Sequence, residues 1–166
     1  GQHMLIKEDL SGDLSRLHNE VFISSSLKEG HFDSRMMLYN GNVVLLRNYV
    51  SGKTLKEMIP EKGMELQEFL KFSIQLATVL QNLHQQFVLH HDINPKNIIF
   101  DNGDNCYLID FEFSSVLNSI EISYEQAQTI KGTVEYMSPE QTGRMNRKMD
   151  YRSDFYSLGV TFYEMV

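Results

Sequence analysis

Between residues 88 and 112 the chain reads VLHHDINPKNIIFDNGDNCYLIDFE. Two β-forming runs, Asn97-Ile98-Ile99-Phe100 and Cys106-Tyr107-Leu108-Ile109-Asp110, flank the turn sequence DNGDN. That is the pattern of a β-hairpin. Antiparallel pairing brings the start of the first strand beside the end of the second, so Asn97 and Asp110 fall at one end. Asp92 lies five residues upstream of Asn97. Taken singly, Asp92 and Asn97 read equally well as loop caps, and Asp110 as a strand end. Together their oxygen atoms make a site for a hard cation.

Working outward, residues 5–7 read as the end of a strand. After a turn at Ser11-Gly12, Leu14, Leu17 and Val21 recur at helical spacing, with Gly30 as a stop. Residues 42–50, NVVLLRNYV, read as a strand ended by Ser51-Gly52, and a short helix over 54–59 is closed by Pro60. The longest helix is expected over about 65–84. Its stripe Phe69, Phe72, Leu76, Leu80, Leu83 and its stripe Leu66, Leu70, Ile74, Ala77 predict burial on both faces. A last helix is expected from about Asp154. Phe155, Leu158, Phe162 and Met165 lie on one side of it and Tyr156, Val160 and Tyr163 on another, again predicting burial nearly all round.

Composition narrows the classes. The 166 residues carry 15 Lys+Arg against 22 Asp+Glu, a formal charge of −7, which argues against a nucleic-acid partner. No apolar run approaches the roughly 20 residues of a membrane span, and no signal peptide is visible. The lone Cys106 can form no internal disulfide and suits a reducing, cytoplasmic setting. Residues 1–4, Gly-Gln-His-Met, read as a vector-derived leader.

The segment Leu89-His90-His91-Asp92-Ile93-Asn94-Pro95-Lys96-Asn97 resembles the catalytic loop of protein kinases, H-R-D-L-K-P-x-N. Ile109-Asp110-Phe111 resembles the D-F-G metal motif. Gly132-Thr133 with Tyr136-Met137-Ser138-Pro139-Glu140 resembles the end of an activation segment. Ser153-Asp154-Phe155-Tyr156-Ser157-Leu158-Gly159-Val160 resembles the buried helix that anchors the catalytic loop. Four motifs in order and at the right spacing are a far stronger signal than any one. The stretch Pro139–Asn146, with Asp150-Tyr151-Arg152-Ser153-Asp154, is similar to the kinase-like domain at the front of hybrid sensor histidine kinases with an ATPase module.

The resemblance covers about residues 5–166 and implies an α+β, protein-kinase-like fold in truncated form. Residues 5–52 would be a partial N-lobe and hinge, strands plus one helix. Residues 53–166 would be a partial, mostly helical C-lobe ending in its central buried helix. It implies ATP and Mg2+ as cofactors, a protein substrate or signalling partner, and a role in signal transduction or phosphorelay. Asp92 would orient the acceptor hydroxyl and accept its proton, and Asn97 and Asp110 would hold magnesium. Lys7, held by Glu20, would meet the α- and β-phosphates. Ile99 would lie under the adenine ring, and Asn48, Tyr49 and Val50 would form the hinge. Thr133 would pack on the catalytic loop, and Asp154 would accept hydrogen bonds from that loop's backbone.

Several residues depart from the family pattern. Asn94 stands where a Lys usually neutralises the γ-phosphate, Glu112 replaces the Gly of D-F-G, and His91 replaces Arg. Without that Arg, phosphate on Ser123 or Thr129 is not expected to be the main switch. Arg47 falls at the back of the ATP pocket, where an unpaired charge would be expensive. Either it pairs with Glu20 or the strand register is one residue off. No Gly-rich loop is seen before Lys7 and nothing follows the last helix, so the chain by itself is expected to be inactive. Three functions compete: Ser/Thr protein phosphotransfer, a pseudokinase binding module favoured by Asn94 and Glu112, and a small-molecule kinase favoured by Asp110-Phe111-Glu112. If the last helix keeps an apolar stripe uncovered, self-association or residues 113–150 are expected to cover it.

Overall fold

The computed structural model describes residues 3–9, 14–27, 34–117, 132–145 and 148–166. The Ser11-Gly12 turn, the Gly30 stop, Ser123, Thr129 and Asn146 lie outside the described residues, as do residues 1 and 2. The architecture is α+β, with a sheet-rich first part followed by mostly helical structure.

Strand β1 (Met4–Glu8) leads to helix α1 (Ser15–Ser26), then to strands β2 (Ser34–Tyr39) and β3 (Asn42–Asn48). The three strands form an antiparallel sheet in the order β1-β3-β2. Helix α1 turns Leu17, Glu20, Ile23 and Ser24 inward, so a carboxylate shares its apolar face. Strand β4 (Gly52–Thr54) and helix α2 (Leu55–Met58) follow. Thr54 caps α2 in a reciprocal pair with Glu57.

Helix α3 (Leu66–Gln85) carries Phe72, Leu76, Leu80 and Leu83 into the main core. Strand β5 (Val88–Leu89), the hairpin β6 (Ile98–Asp101) and β7 (Cys106–Leu108), and β8 (Ser115–Val116) complete the strands. β4, β6 and β7 form a second antiparallel sheet, and β5 pairs with β8. A 3-10 turn, Val134–Tyr136, precedes helix α4 (Tyr151–Met165).

Two expectations about burial are corrected. On α3 only one stripe is buried: Leu66 is 69% and Ile74 65% exposed, and Leu70 and Ala77 are exposed too. The reason is geometric. What α3 meets, β5, β7 and α4, lies on one side of it, with Phe72 against Phe100 (ring centroids 4.5 Å) and Phe69 against Phe162 (5.8 Å). On α4 the buried positions are Ser153, Asp154, Ser157, Leu158, Thr161 and Met165, while Phe155, Tyr156 and Tyr163 are exposed. The buried face is mostly small and polar because it supplies hydrogen bonds to neighbouring backbone. The helix also begins three residues before Asp154, at Tyr151, where Asp150 accepts the Arg152 amide as its cap.

Gly52 shows how tightly β4 lies on β6. A Cβ there would come within 2.2 Å of the Phe100 carbonyl oxygen and 2.9 Å of Ile99 Cγ2. Gly52→Ala is therefore expected to cost about 1–3 kcal/mol, the usual range for overpacking. A shift of the urea midpoint at constant slope would measure it, and an unchanged midpoint would show that β4 can move away freely.

Candidate active site

The catalytic loop is held from beneath. Asp154, fully buried on α4, accepts the backbone amides of His90 (2.9 Å) and His91 (2.8 Å) and contacts His84 Nε2 at 2.8 Å. Burial pushes its carboxyl up. The His84 hydrogen bond, then His91, His90 and the His90 amide, outweigh burial and hold it below its ordinary 3.8. His91 is buried with Nε2 on Ser115 Oγ (2.7 Å), while among the described residues its Nδ1 has no hydrogen-bond partner. Burial lowers its pKa, which favours the neutral imidazole.

Asp92 sits at the centre of a small cage. Its Oδ1 accepts the Thr133 amide (2.8 Å) and its Oδ2 accepts Asn97 Nδ2 (2.8 Å). Asn97 Nδ2 also donates to the Asp92 carbonyl at 3.0 Å. Asn94 donates to the same carbonyl (3.1 Å) and to Thr133 Oγ1 (3.2 Å), while its own oxygen accepts the Lys96 amide (3.0 Å). Gly132 makes the approach of Thr133 feasible. Its φ is +108°, and a Cβ there would lie 3.0 Å from Asp92 Oδ1. Gln141, which the sequence did not single out, donates from Nε2 to the His91 carbonyl and accepts from Ser138. Glu140 accepts Ser153 Oγ at 2.7 Å.

At the open end of the hairpin the Ile109 amide donates to the Asn97 carbonyl at 2.9 Å, which sets Asn97 beside Asp110. Asp110 takes a left-handed φ of +71°, leaving the strand path. Its Oδ1 lies 2.6 Å from Lys7 Nζ, which also contacts Glu20 Oε2 (3.0 Å) and Glu112 Oε2 (3.1 Å). Glu20 is almost fully buried, and its other oxygen meets Arg47 Nη1 at 3.0 Å. Of the two alternatives for Arg47, pairing with Glu20 is the one found. Burial alone would pull the Lys7 ammonium down, but Asp110 and then Glu20 outweigh it and raise its pKa. Burial and then Asp110 push the Glu112 carboxyl up, opposed by Lys7 and Arg16.

The fold thus gathers Lys7, Glu20, Asp92, Asn94, Asn97, Asp110 and Thr133. Asn48 ends β3 and Tyr49 and Val50 lead on towards β4, with the Tyr49 amide on the His3 carbonyl (3.0 Å), and Ile99 lies half-buried on β6. Among the described residues no three His, Cys, Asp or Glu side chains form a metal cage, and no helix is long and apolar enough to cross a membrane. Reasoning from sequence also missed Asn19 on α1, which donates to three carbonyls of residues 111–114.

A loop holding Asp92 and Asn97, set beside a hairpin-end Asp that meets a lysine from the first sheet, is the arrangement of a protein kinase domain. A family model of that description matches residues 14–166, and the chain belongs to the protein kinase family. It is 34% identical over 123 residues to a probable serine/threonine-protein kinase of Clostridium perfringens, covering 74% of this chain and 17% of that protein. It is likewise 34% identical over 124 residues to the serine/threonine-protein kinase PrkC of Bacillus subtilis, covering 74% and 18%. A probable LRR receptor-like serine/threonine-protein kinase, RPK1, of Arabidopsis thaliana matches at 34% over 128 residues, covering 74% and 23%. The chain spans less than a quarter of each. These serine/threonine kinases lend no support to the likeness to hybrid sensor histidine kinases.

Proposed function

We propose that the chain carries the phosphotransfer machinery of a serine/threonine protein kinase, moving phosphate from ATP to hydroxyls of a protein in a signalling pathway. The observation that carries this is Lys7, which reaches Glu20 at 3.0 Å and Asp110 at 2.6 Å across 103 residues of sequence. Residues 5–52 then act as N-lobe and hinge and residues 53–166 as C-lobe, working in the cytoplasm. The relation to a sensor histidine kinase rests on the Pro139–Asn146 stretch and residues 150–154 alone. A second copy of the chain is the proposed cover for the exposed aromatics of α4.

The donor set fits a hard divalent cation. Asp110 offers a carboxylate of which Lys7 engages one oxygen, Asn97 offers an amide oxygen beside it, and an ion such as Mg2+ completes its shell with phosphate and water. Bound there, magnesium would neutralise charge on the phosphates. Asp92, held by the Thr133 amide and Asn97 Nδ2, would accept the hydroxyl proton, and Asn94, bonded to Thr133 Oγ1, would steady Thr133. Lys7, braced by Glu20, would turn to the α- and β-phosphates. Asn48–Val50 would receive the adenine edge and Ile99 its face.

Replacing Asp110 with Asn tests the reading. Calorimetry should show magnesium-dependent nucleotide binding in the parent protein and binding indifferent to magnesium in the variant. Unchanged magnesium dependence would refute the metal assignment.

A second reading, a pseudokinase that holds nucleotide without using it, draws on Glu112. Its carboxylate lies 3.1 Å from the lysine meant for the phosphates, and Asn94 supplies no cation. Nucleotide binding without turnover on any protein substrate would favour it. A small-molecule kinase rests only on the Asp110-Phe111-Glu112 motif.

A further inference from the structure

We infer that Asn19 is a positioning residue that fixes where Asp110 points, by tying helix α1 to the segment that follows it. This rests on the reading of Asp110 as a metal ligand. The Asn19 amide nitrogen lies 3.2 Å from the Phe111 carbonyl, 3.0 Å from that of Glu112 and 2.8 Å from that of Ser114. Three backbone oxygens converge because the chain turns there, with the Ser114 amide on the Phe111 carbonyl at 3.1 Å. A ring of acceptors can be filled only by a donor, and a side-chain amide brings two N–H groups to it.

The position of Asn19 gives the contact its consequence. The next residue, Glu20, braces Lys7, and Lys7 meets Asp110. The same short turn is held on its other side by Ser114 Oγ on the His90 carbonyl (3.1 Å), within the catalytic loop. The D-F-G motif of protein kinases carries a Gly where this chain has Glu112, and a Gly gives the backbone a free joint. Here the joint is closed. Glu112 is gripped at its carbonyl by Asn19 and at its carboxylate by Lys7. Helix α1 and the metal-bearing segment therefore move as one body, and Asn19 is the backbone half of the clasp.

The experiment compares Asn19→Asp, nearly isosteric but with no donor, with Asn19→Ala and with Asn19→Gln, which keeps both donors. All are made in the full-length protein. Hydrogen exchange of the amides of residues 112–115 and the magnesium concentration for half-maximal ATP binding are read in each. Asp and Ala should speed that exchange about tenfold and raise the magnesium midpoint about tenfold, the factor one lost net hydrogen bond supplies. Gln should recover part of both. Thermal unfolding should move little, because no core contact is removed. Exchange and magnesium midpoint both at parental values in Asn19→Ala would overturn the inference, as would loss of both in Asn19→Gln. Asp110→Asn, run alongside, separates the two claims. If it leaves the magnesium dependence intact, the metal reading has failed, and the exchange rates alone decide whether Asn19 holds the segment.

Discussion

Replacing Asp92 with Asn is expected to slow transfer to a protein hydroxyl by about 10²–10⁴-fold, the usual worth of a positioned general base. Nucleotide affinity should stay close to the parental value. Both Asp92 oxygens are acceptors here, one for the Thr133 amide and one for Asn97 Nδ2. An Asn side chain presents one oxygen and one NH2 group, so one of the two contacts becomes donor against donor. Some loosening at Gly132-Thr133 is therefore expected with the lost basicity. Single-turnover kinetics and calorimetry on the same preparation separate the two quantities. Intact turnover would show the catalytic-loop assignment to be wrong. A parallel fall in nucleotide affinity would mean that Asp92 mainly holds the loop together.

The second large effect belongs to Asp154. Asp154→Ala leaves the amides of His90 and His91, and the His84 ring, without their buried acceptor. Breaking such a set costs about 3–5 kcal/mol, a large share of a domain's total of about 5–15 kcal/mol. The pH dependence has a definite sign. The folded-state pKa of Asp154 is depressed below 3.8, so its stabilisation is present above that unfolded value. It is lost as pH falls through the lower folded value. Urea unfolding of parent and variant should show a wide gap at neutral pH that narrows below pH 3.8. A gap independent of pH would mean that packing, not the carboxylate, supports the loop.

Much of the site could be read from the chain because its parts are local. The hairpin from Asn97 to Asp110 carries its own turn and its own β-formers, and its register sets the two oxygen donors side by side. Strand β2 escaped notice although Asn40-Gly41, both at positive φ, marks its hairpin with β3. Its run Met36-Met37-Leu38 lacks alternation, and only Ser34 of the strand is buried. β5 and β8 are two residues each, below the reach of any periodic pattern. The helices were misjudged in a different way. Apolar residues on two sides of α3 and α4 suggested double burial, but the neighbours lie on one side, and α4 turns a polar face to them. Lys7 could be named only through the family resemblance. Asn19 was beyond reach, because nothing in a lone helical Asn announces acceptors 92 to 95 residues away.

The same separation in sequence sets the order in which the partners leave the ribosome. The first sheet needs only residues up to Asn48, and within that span Glu20 already has Arg47 and Lys7 to neutralise it. Asp110 emerges 103 residues after Lys7. Contacts distant in sequence carry the larger loop-closure cost. On that order Lys7 and Glu20 can pair before Asp110 has been synthesised. Nascent chains stalled before residue 110 are expected to protect β1 and β3 already, which amide exchange on arrested chains would check.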